Sequence, residues 1–188
     1  MKISKNLEKK IKINLWVNEE LEYNEKILEV LHQEVKRNDG VLWKDITYIA
    51  ELYIGQKHMS NYAMLGMKFI YKDTDKLEVK VCVSSDEGEI LENTIAMQGE
   101  EVHLGIPKEY GEKILQVAAA YFREHNYGAG EIVFFMGAHG YYGSSQSVFG
   151  LATNILLNCL EKKCGSDVKM LEKTICKGIM ENLSVYQS

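Results

Sequence analysis

Proline is almost absent from this chain: Pro107 is the only one among 188 residues. Little therefore stands in the way of long regular elements. Cysteine is scarce as well. Cys82, Cys159, Cys164 and Cys176 form no C-x-x-C pair and no His-x3-5-His follows them, so zinc binding is not indicated. They read as buried or neutral thiols. No apolar run approaches the roughly 18 residues needed to span a bilayer. The basic start MKISKNLEKK leads into the alternating IKINLWV, not into an apolar block with a cleavage site. These absences predict a cytoplasmic protein with no membrane contact. Low-complexity segments, internal repeats and the nucleotide motif GxxxxGK[ST] are all missing too.

A formal net charge of -5 argues against a general nucleic-acid binder, which needs a basic face to meet phosphate. A local basic patch or a contact through a loop tip stays open. The apolar fraction of 46% is ample for a core, and the length fits one domain, or one domain with a small extension.

Residues 11–17 alternate Ile11, Ile13, Leu15 and Val17, a strand pattern. Residues 24–37 place Ile27, Val30, Leu31 and Val35 on one helical stripe, with Asn24 as N-cap and Asn38–Gly40 as the terminating turn. Over 41–54 the alternation of Ile46, Tyr48, Ala50, Leu52 and Ile54 favours a strand, although a helical period also fits. Residues 64–71 and 76–83 alternate on either side of KDTD and read as a hairpin. A further strand over 89–97, with Leu91, Ile95 and Met97, would complete a three-stranded antiparallel meander. Pro107 suits the first turn of a helix ending near Asn126, with Tyr110, Ile114, Val117, Ala118, Tyr121 and Phe122 inward. A short buried strand, Ile132–Met136, follows. The turn GAHGYYGSS then opens a helix with Val148, Phe149, Ala152, Ile155, Leu156, Cys159 and Leu160 buried. Gly165 breaks it. Ser166 or Asp167 caps a last helix with Val168, Leu171, Ile175, Ile179 and Leu183 inward. The fold class expected is α+β: an antiparallel or mixed sheet with helices packed on one face and one crossover connection. Residues 1–60 read as an N-terminal α/β extension, and 61–188 as the main domain.

Two passages bear on ancestry. GIPKEY, Gly105 to Tyr110, opens one helix, and GSSQSVFGLA, Gly143 to Ala152, opens another. In this order and spacing they resemble domain IV of translation elongation factor G and its relatives, over roughly residues 62–162. Ser144, Ser145, Phe149 and Ala152 match the paired serines and F-x-x-A of that domain. The resemblance implies the fold of ribosomal protein S5 domain 2, without a GTPase domain, and contact with the ribosome or structured RNA. The departures are specific. The family's basic, Gly-rich loop is missing, and KDTD and SSDEG are acidic. The loop before the serines is shorter, and Gly143 stands where the family has an acidic residue.

The candidate binding residues are His139, Tyr141, Tyr142, Gly143, Ser144 and Ser145. Glycines allow close backbone approach, a helix N-terminus attracts anions, and the tyrosines offer faces for stacking. A purely structural reading uses the same residues as turn, N-cap and core cover. The GSS turn also resembles the phosphate loop of the galactokinase, homoserine kinase and mevalonate kinase superfamily, but Gln146, Ser147 and Val148 replace its proline and small residues. No catalytic residue, metal or cofactor is indicated. His32, His58, His103 and His125 show no ligand spacing, and Lys169, Lys173 and Lys177 form a basic stripe that reads as a solvated face. The function expected is a non-enzymatic binding module. Alternatives are a protein–protein or homo-oligomer module using an open sheet face or edge, and a phosphate-binding enzyme centred on the GSS turn.

Overall fold

The computed structural model describes residues 1–7, 10–19, 21, 23, 25–36, 44–55, 60–125 and 127–182. Strands alternate their side chains between two faces, and the apolar periods noted above become one large sheet. Its strands are β1 (Lys2–Leu7), β2 (Ile11–Val17), β3 (Ile27–Lys36), β4 (Ile46–Gly55), β5 (Ser60–Tyr71), β6 (Lys76–Ser84), β7 (Val102–Leu104) and β8 (Gly130–Gly140). The helices are α1 (Lys108–Glu124), α2 (Gln146–Glu161) and α3 (Val168–Asn182). The main path of the sheet runs β1-β2-β4-β5-β8-β6-β3, with β7 pairing β8 beyond the reach of β6. The class is therefore α+β with a mixed sheet. Among the described residues of the first 60, every element is a strand, and all of them join this sheet. No described helix is long and apolar enough to cross a membrane.

Strand β8 lies antiparallel to β5 and parallel to β6. A parallel neighbour demands a crossover, and α1 supplies it between β6 and β8. Helix α1 packs on β3 and β6, α2 on β4 and β5, and the two helices pack on each other, so both cover one face. Helix α3 packs outside α2. The core beneath them joins Tyr48, Leu52, Leu65, Phe69, Val79, Phe134, Ile114, Phe149 and Leu156, all fully buried. A second, smaller cluster on the other face holds Trp16, Ile49, Tyr62, Met64, Val102, Leu104, Met136 and Ala138. The chain between β6 and β7 covers it with Leu91, Ile95 and Ala96. Buried Glu51 pins this cover: its carboxylate accepts from Asn14 Nδ2 at 2.8 Å, Tyr62 O–H at 3.0 Å and the Ile95 amide at 2.9 Å. Farther along the same face, over β6 and β3, the surface carries a Lys–Glu ladder. Glu131 accepts from Lys72 and Lys80, and Lys76 reaches Glu34 and Glu78. The Lys72 and Lys80 ammonium groups hold the Glu131 carboxyl below its usual range.

Several expectations need correction. Residues 27–36 are a strand, not a helix. Their apolar spacing fits both periods, but the free edge of β6 pairs Leu31 with Val81 and Val35 with Leu77, and this contact decides the outcome. Residues 64–71 and 76–83 are strands but not a hairpin, because β8 inserts between β5 and β6. Residues 89–97 form no strand. Only Ile90 bridges to His103, and the neighbouring apolar side chains bury themselves by lying across the sheet. Residues 2–7 form an edge strand that was not anticipated. Val168 is exposed, not inward. Asp167 Oδ1 accepts the Met170 amide and so acts as the cap of α3. Asn24, Asn38–Gly40, His58, Asn126 and Leu183 lie outside the described residues.

Phe149 is fully buried and stacks on Tyr110 with ring centroids 4.6 Å apart, joining the first turns of α2 and α1. Phe149→Ala should cost about 3–5 kcal/mol in urea unfolding, the usual range for a buried aromatic left as a cavity. A loss under about 1 kcal/mol would show that the two helices are not clamped there.

Candidate functional site

The turn that joins β8 to α2 gathers the six candidate residues, but in two environments. His139 is not in the loop. It is the penultimate residue of β8 and is buried. A bulge places it there: Gly66 pairs with Met136 and Met67 with Phe134, leaving Phe135 without a partner. Before the bulge Ile132 and Phe134 face the helices, and after it Gly137 and His139 do, while Met136 and Ala138 turn to the smaller cluster. Bulges commonly re-aim a side chain in this way.

Because β8 and α1 run in opposite directions, the first turns of α1 and α2 meet at this end of the sheet. His139 packs on Tyr110 at 6.0 Å and on His103 at 5.9 Å between ring centroids. Its Nδ1–H donates to the Gly105 carbonyl at 3.2 Å. Burial pushes its pKa down, and neighbouring His103 adds to the shift. The backbone of Gly105 and of Asp86, and the Asp86 carboxylate, oppose it only in part. His103 Nδ1 lies 3.1 Å from the Gly88 carbonyl and its Nε2 lies 2.8 Å from Glu101 Oε1. Among the described residues, no serine, threonine or cysteine side chain hydrogen-bonds either ring. The pair is not arranged as a base beside a nucleophile. No described group of three or more His, Cys, Asp or Glu is placed to hold a metal.

The GIPKEY passage has a structural task here. Gly105, at φ 132, donates its N–H to the Gly137 carbonyl at 2.7 Å. A Cβ on it would lie 2.6 Å from Ser84 Oγ and 2.7 Å from the Ser85 carbonyl. Ile106 N–H donates to Ser84 Oγ at 2.7 Å, and Pro107 is the N-cap position of α1. Near this junction both carboxylate oxygens of Glu25 are buried without a hydrogen bond of good geometry. Burial raises its pKa, and the nearby Ser84 hydroxyl and the backbone of Ile106 and Gly137 offset this only partly.

Past His139, the turn fills its own anion-binding position. The amides of Tyr142 and Gly143 both donate to Glu100 Oε1 at 2.9 Å. Gly140 leaves room for that carboxylate, since a Cβ there would stand 2.6 Å from the same oxygen. Ser144 Oγ accepts the Gly140 amide at 2.8 Å and donates to the Tyr62 carbonyl at 2.5 Å. Ser145 caps α2, accepting the Val148 amide at 3.3 Å, and its hydroxyl donates to Asn61 at 3.2 Å. The amides of Gly140, Tyr142, Gly143 and Val148 are thus engaged within the chain. Tyr141 and Tyr142 are left outward, 63% and 87% exposed, with rings edge-to-face at 4.7 Å. Glu101 stands beside them at the rim, and exposed Ile90 lies on the strip that bridges His103.

The structure brings all six candidates, His139, Tyr141, Tyr142, Gly143, Ser144 and Ser145, to one end of the sheet, and adds Glu100 and His103 beside them. Nothing in QGEEVHL marks either as a partner of a turn some 40 residues later. The chain matches no protein-family model, and neither the curated proteins nor the solved structures contain a match to it.

His139 gives a pH signature. Its pKa is lowered in the folded state, so the unfolded chain takes up the proton first as pH falls. The contribution is complete above the unfolded value of about 6.5 and is lost as pH falls through the folded value. Each unit of depression is worth about 1.4 kcal/mol. His139→Asn keeps a donor for Gly105 and removes the titration. Its urea midpoint should therefore fall less than that of the wild type between pH 7.5 and 5. An unchanged pH slope would show that the imidazole is not the titrating group.

Proposed function

We propose that the chain is a cytoplasmic, non-enzymatic binding module whose contact surface is the Tyr141–Tyr142 tip, with a basic protein segment as partner. The observation that carries this reading is a rigid turn, locked by Glu100 and Ser144, that holds two tyrosine rings in solvent. Ordered aromatic rings offer contact area at low entropic cost. The exposed Glu101 carboxylate beside them favours lysine or arginine, which also sit well on tyrosine faces, and repels a phosphate backbone. Four free thiols support a reducing compartment.

The finer fold belongs to the same proposal. The order β4-β5-β6-β7-α1-β8-α2, with α1 and α2 on one face and the parallel pair β6–β8 joined through α1, supports a domain similar to ribosomal protein S5 domain 2 and to domain IV of elongation factor G. On that reading the tip occupies the position of the family's ribosome-facing end, and basic ribosomal protein surfaces are suitable partners. RNA is the competing outcome.

The test is co-sedimentation with ribosomes across a salt series, with an arginine-rich peptide and transfer RNA as separate titrants. Salt-sensitive binding of ribosomes and peptide is expected, weakened about tenfold or more by Tyr141→Ala/Tyr142→Ala. Binding of transfer RNA alone would replace the protein partner by RNA. Absence of any association, or one indifferent to the double variant, would remove the tip as the contact surface.

A second reading rests on β3. Among the described residues no strand lies beyond it, and Ile27, Leu28 and Val30 are 40%, 60% and 50% exposed. An exposed edge strand of ten residues carrying three exposed apolar side chains is a template for strand pairing. A second copy laid antiparallel about Gln33 would set Leu31 opposite Val35 on the helix face and His32 opposite Glu34 on the other. Light scattering should then report a dimer. His32→Glu and Glu34→Lys should each weaken it, and mixing the two should restore a heterodimer. A monomer at high micromolar concentration would exclude the edge.

A further inference from the structure

Backbone strain collects at the opposite end of α2. The described non-glycine residues in the left-handed region are Asn18 at φ 51, Asn93 at φ 61 and Lys163 at φ 50. Two of them, Asn18 and Lys163, line a single cleft, together with Gly165 at φ 51. The cleft has a volume of about 410 Å³ and lies between the start of β4 and the end of α2. That volume falls at the lower end of the range for small-molecule sites.

Its walls are apolar and its mouth is cationic. Tyr48, fully buried, and Leu160 form the floor with half-buried Ile46. Burial raises the pKa of the Tyr48 phenol, which stays neutral and directs its hydroxyl to the Gly165 carbonyl at 3.5 Å. Lys44 and Lys163 stand exposed at the rim, and neither forms an ion pair among the described residues. The neighbouring Asp45 carboxylate is engaged, accepting the Tyr71 amide at 2.8 Å. Asn18 Oδ1 is likewise engaged, with the Thr47 amide at 3.0 Å.

Three carbonyls at the end of α2 are engaged within the chain. The carbonyls of Asn158, Cys159 and Leu160 accept the amides of Lys162, Cys164 and Lys163 at 3.1, 3.1 and 3.0 Å. Lys163 itself sits just past the C-cap, where glycine or asparagine adopts the left-handed backbone with least strain. A lysine there keeps a long cationic side chain at a position where its backbone is disfavoured. Strain of this kind, clustered around a concave apolar surface, points to a site.

We propose that this cleft binds a small anionic amphiphile, an apolar body bearing one carboxylate or phosphate head. The body packs on Ile46 above the buried Tyr48 and Leu160, and the head lies between Lys44 and Lys163. This site is separate from the tyrosine tip, which lies beyond the N-terminal end of α2.

The experiment is an amide chemical-shift titration of the full chain with octanoate and with phenyl phosphate. Octylammonium and octanol serve as charge controls. Saturable shifts confined to residues 44–48 and 160–165 are expected, with a dissociation constant of about 1 mM or below. The preferred head group is read from the two anionic arms. Lys163→Gly should weaken binding about tenfold. It should also raise the thermal midpoint, because glycine relieves the left-handed strain, so lost binding cannot be ascribed to a damaged fold. Lys44→Gln should weaken binding with little effect on the midpoint. Equal binding of octanol or octylammonium, shifts scattered over the chain, or Lys163→Gly binding as the wild type does, would each overturn the proposal.

Discussion

Everything in this molecule depends on β8 being an inner strand with one antiparallel and one parallel neighbour. Antiparallel pairing with β5 places it beside the strands that precede it in sequence. Parallel pairing with β6 cannot be made through a tight turn, so the chain must leave the sheet and return across a face. Helix α1 is that return path. Its apolar side, Ile114, Ala118 and Phe122, fills the layer that Val79, Val81 and Phe134 offer from below. Helix α2 then leaves the far end of β8 and lies back over β4 and β5, beside α1. The two helices share a face because their connections begin and end on one strand. Their first turns meet for the same reason, and Tyr110 stacks on Phe149 where they do.

That meeting creates an electrostatic problem. Two helix N-termini point their unpaired amides and positive dipole ends at one place. A phosphate is the usual external answer, but this chain supplies internal ones. Glu109 lies in the first turn of α1, Ser145 caps α2, and Glu100 takes two amides of the intervening turn. His139, at the same end of the sheet, is driven toward its neutral form by burial. With Glu100 Oε1 held by the amides of Tyr142 and Gly143, the turn carries its own anion, and the rings of Tyr141 and Tyr142 project outward.

Elements whose period was unambiguous were legible from composition alone. The three helices that begin near Pro107, Ser145 and Asp167 carry long apolar stripes and caps that no strand pattern mimics. The alternation of Ile11 to Val17 and of Lys76 to Ser84 is equally plain. What was not legible is partnership. Ile27 to Lys36 fits either period, and only the open edge of β6 chooses between them. The pair flanking KDTD looks like a hairpin because the two segments are adjacent in sequence. Yet β8, some 50 residues later, outcompetes that local pairing by satisfying both strands at once. The bulge at Phe135 is likewise invisible in FFMGAHG, and without it His139 would face the other side of the sheet. The site suffers from the same gap. Its turn residues were readable, but Glu100 and His103 reach them only through the β7–β8 pairing.

The two ends of α2 also handle backbone strain differently. At the tip the tyrosines project from ordinary backbone, and the left-handed requirement falls on Gly105, where a glycine meets it with no side chain to place. At the other end the same requirement falls on Lys163 and Asn18, which keep their side chains. The asparagine is accounted for, because its carboxamide closes onto Thr47. The lysine has no such closure: among the described residues its ammonium forms no ion pair, while its backbone donates to Leu160 and completes the helix end as any residue would. A glycine would finish α2 with less strain. Lys163 instead stands at the rim of the cleft lined by Ile46, Tyr48 and Leu160, the place proposed above for an anionic head group.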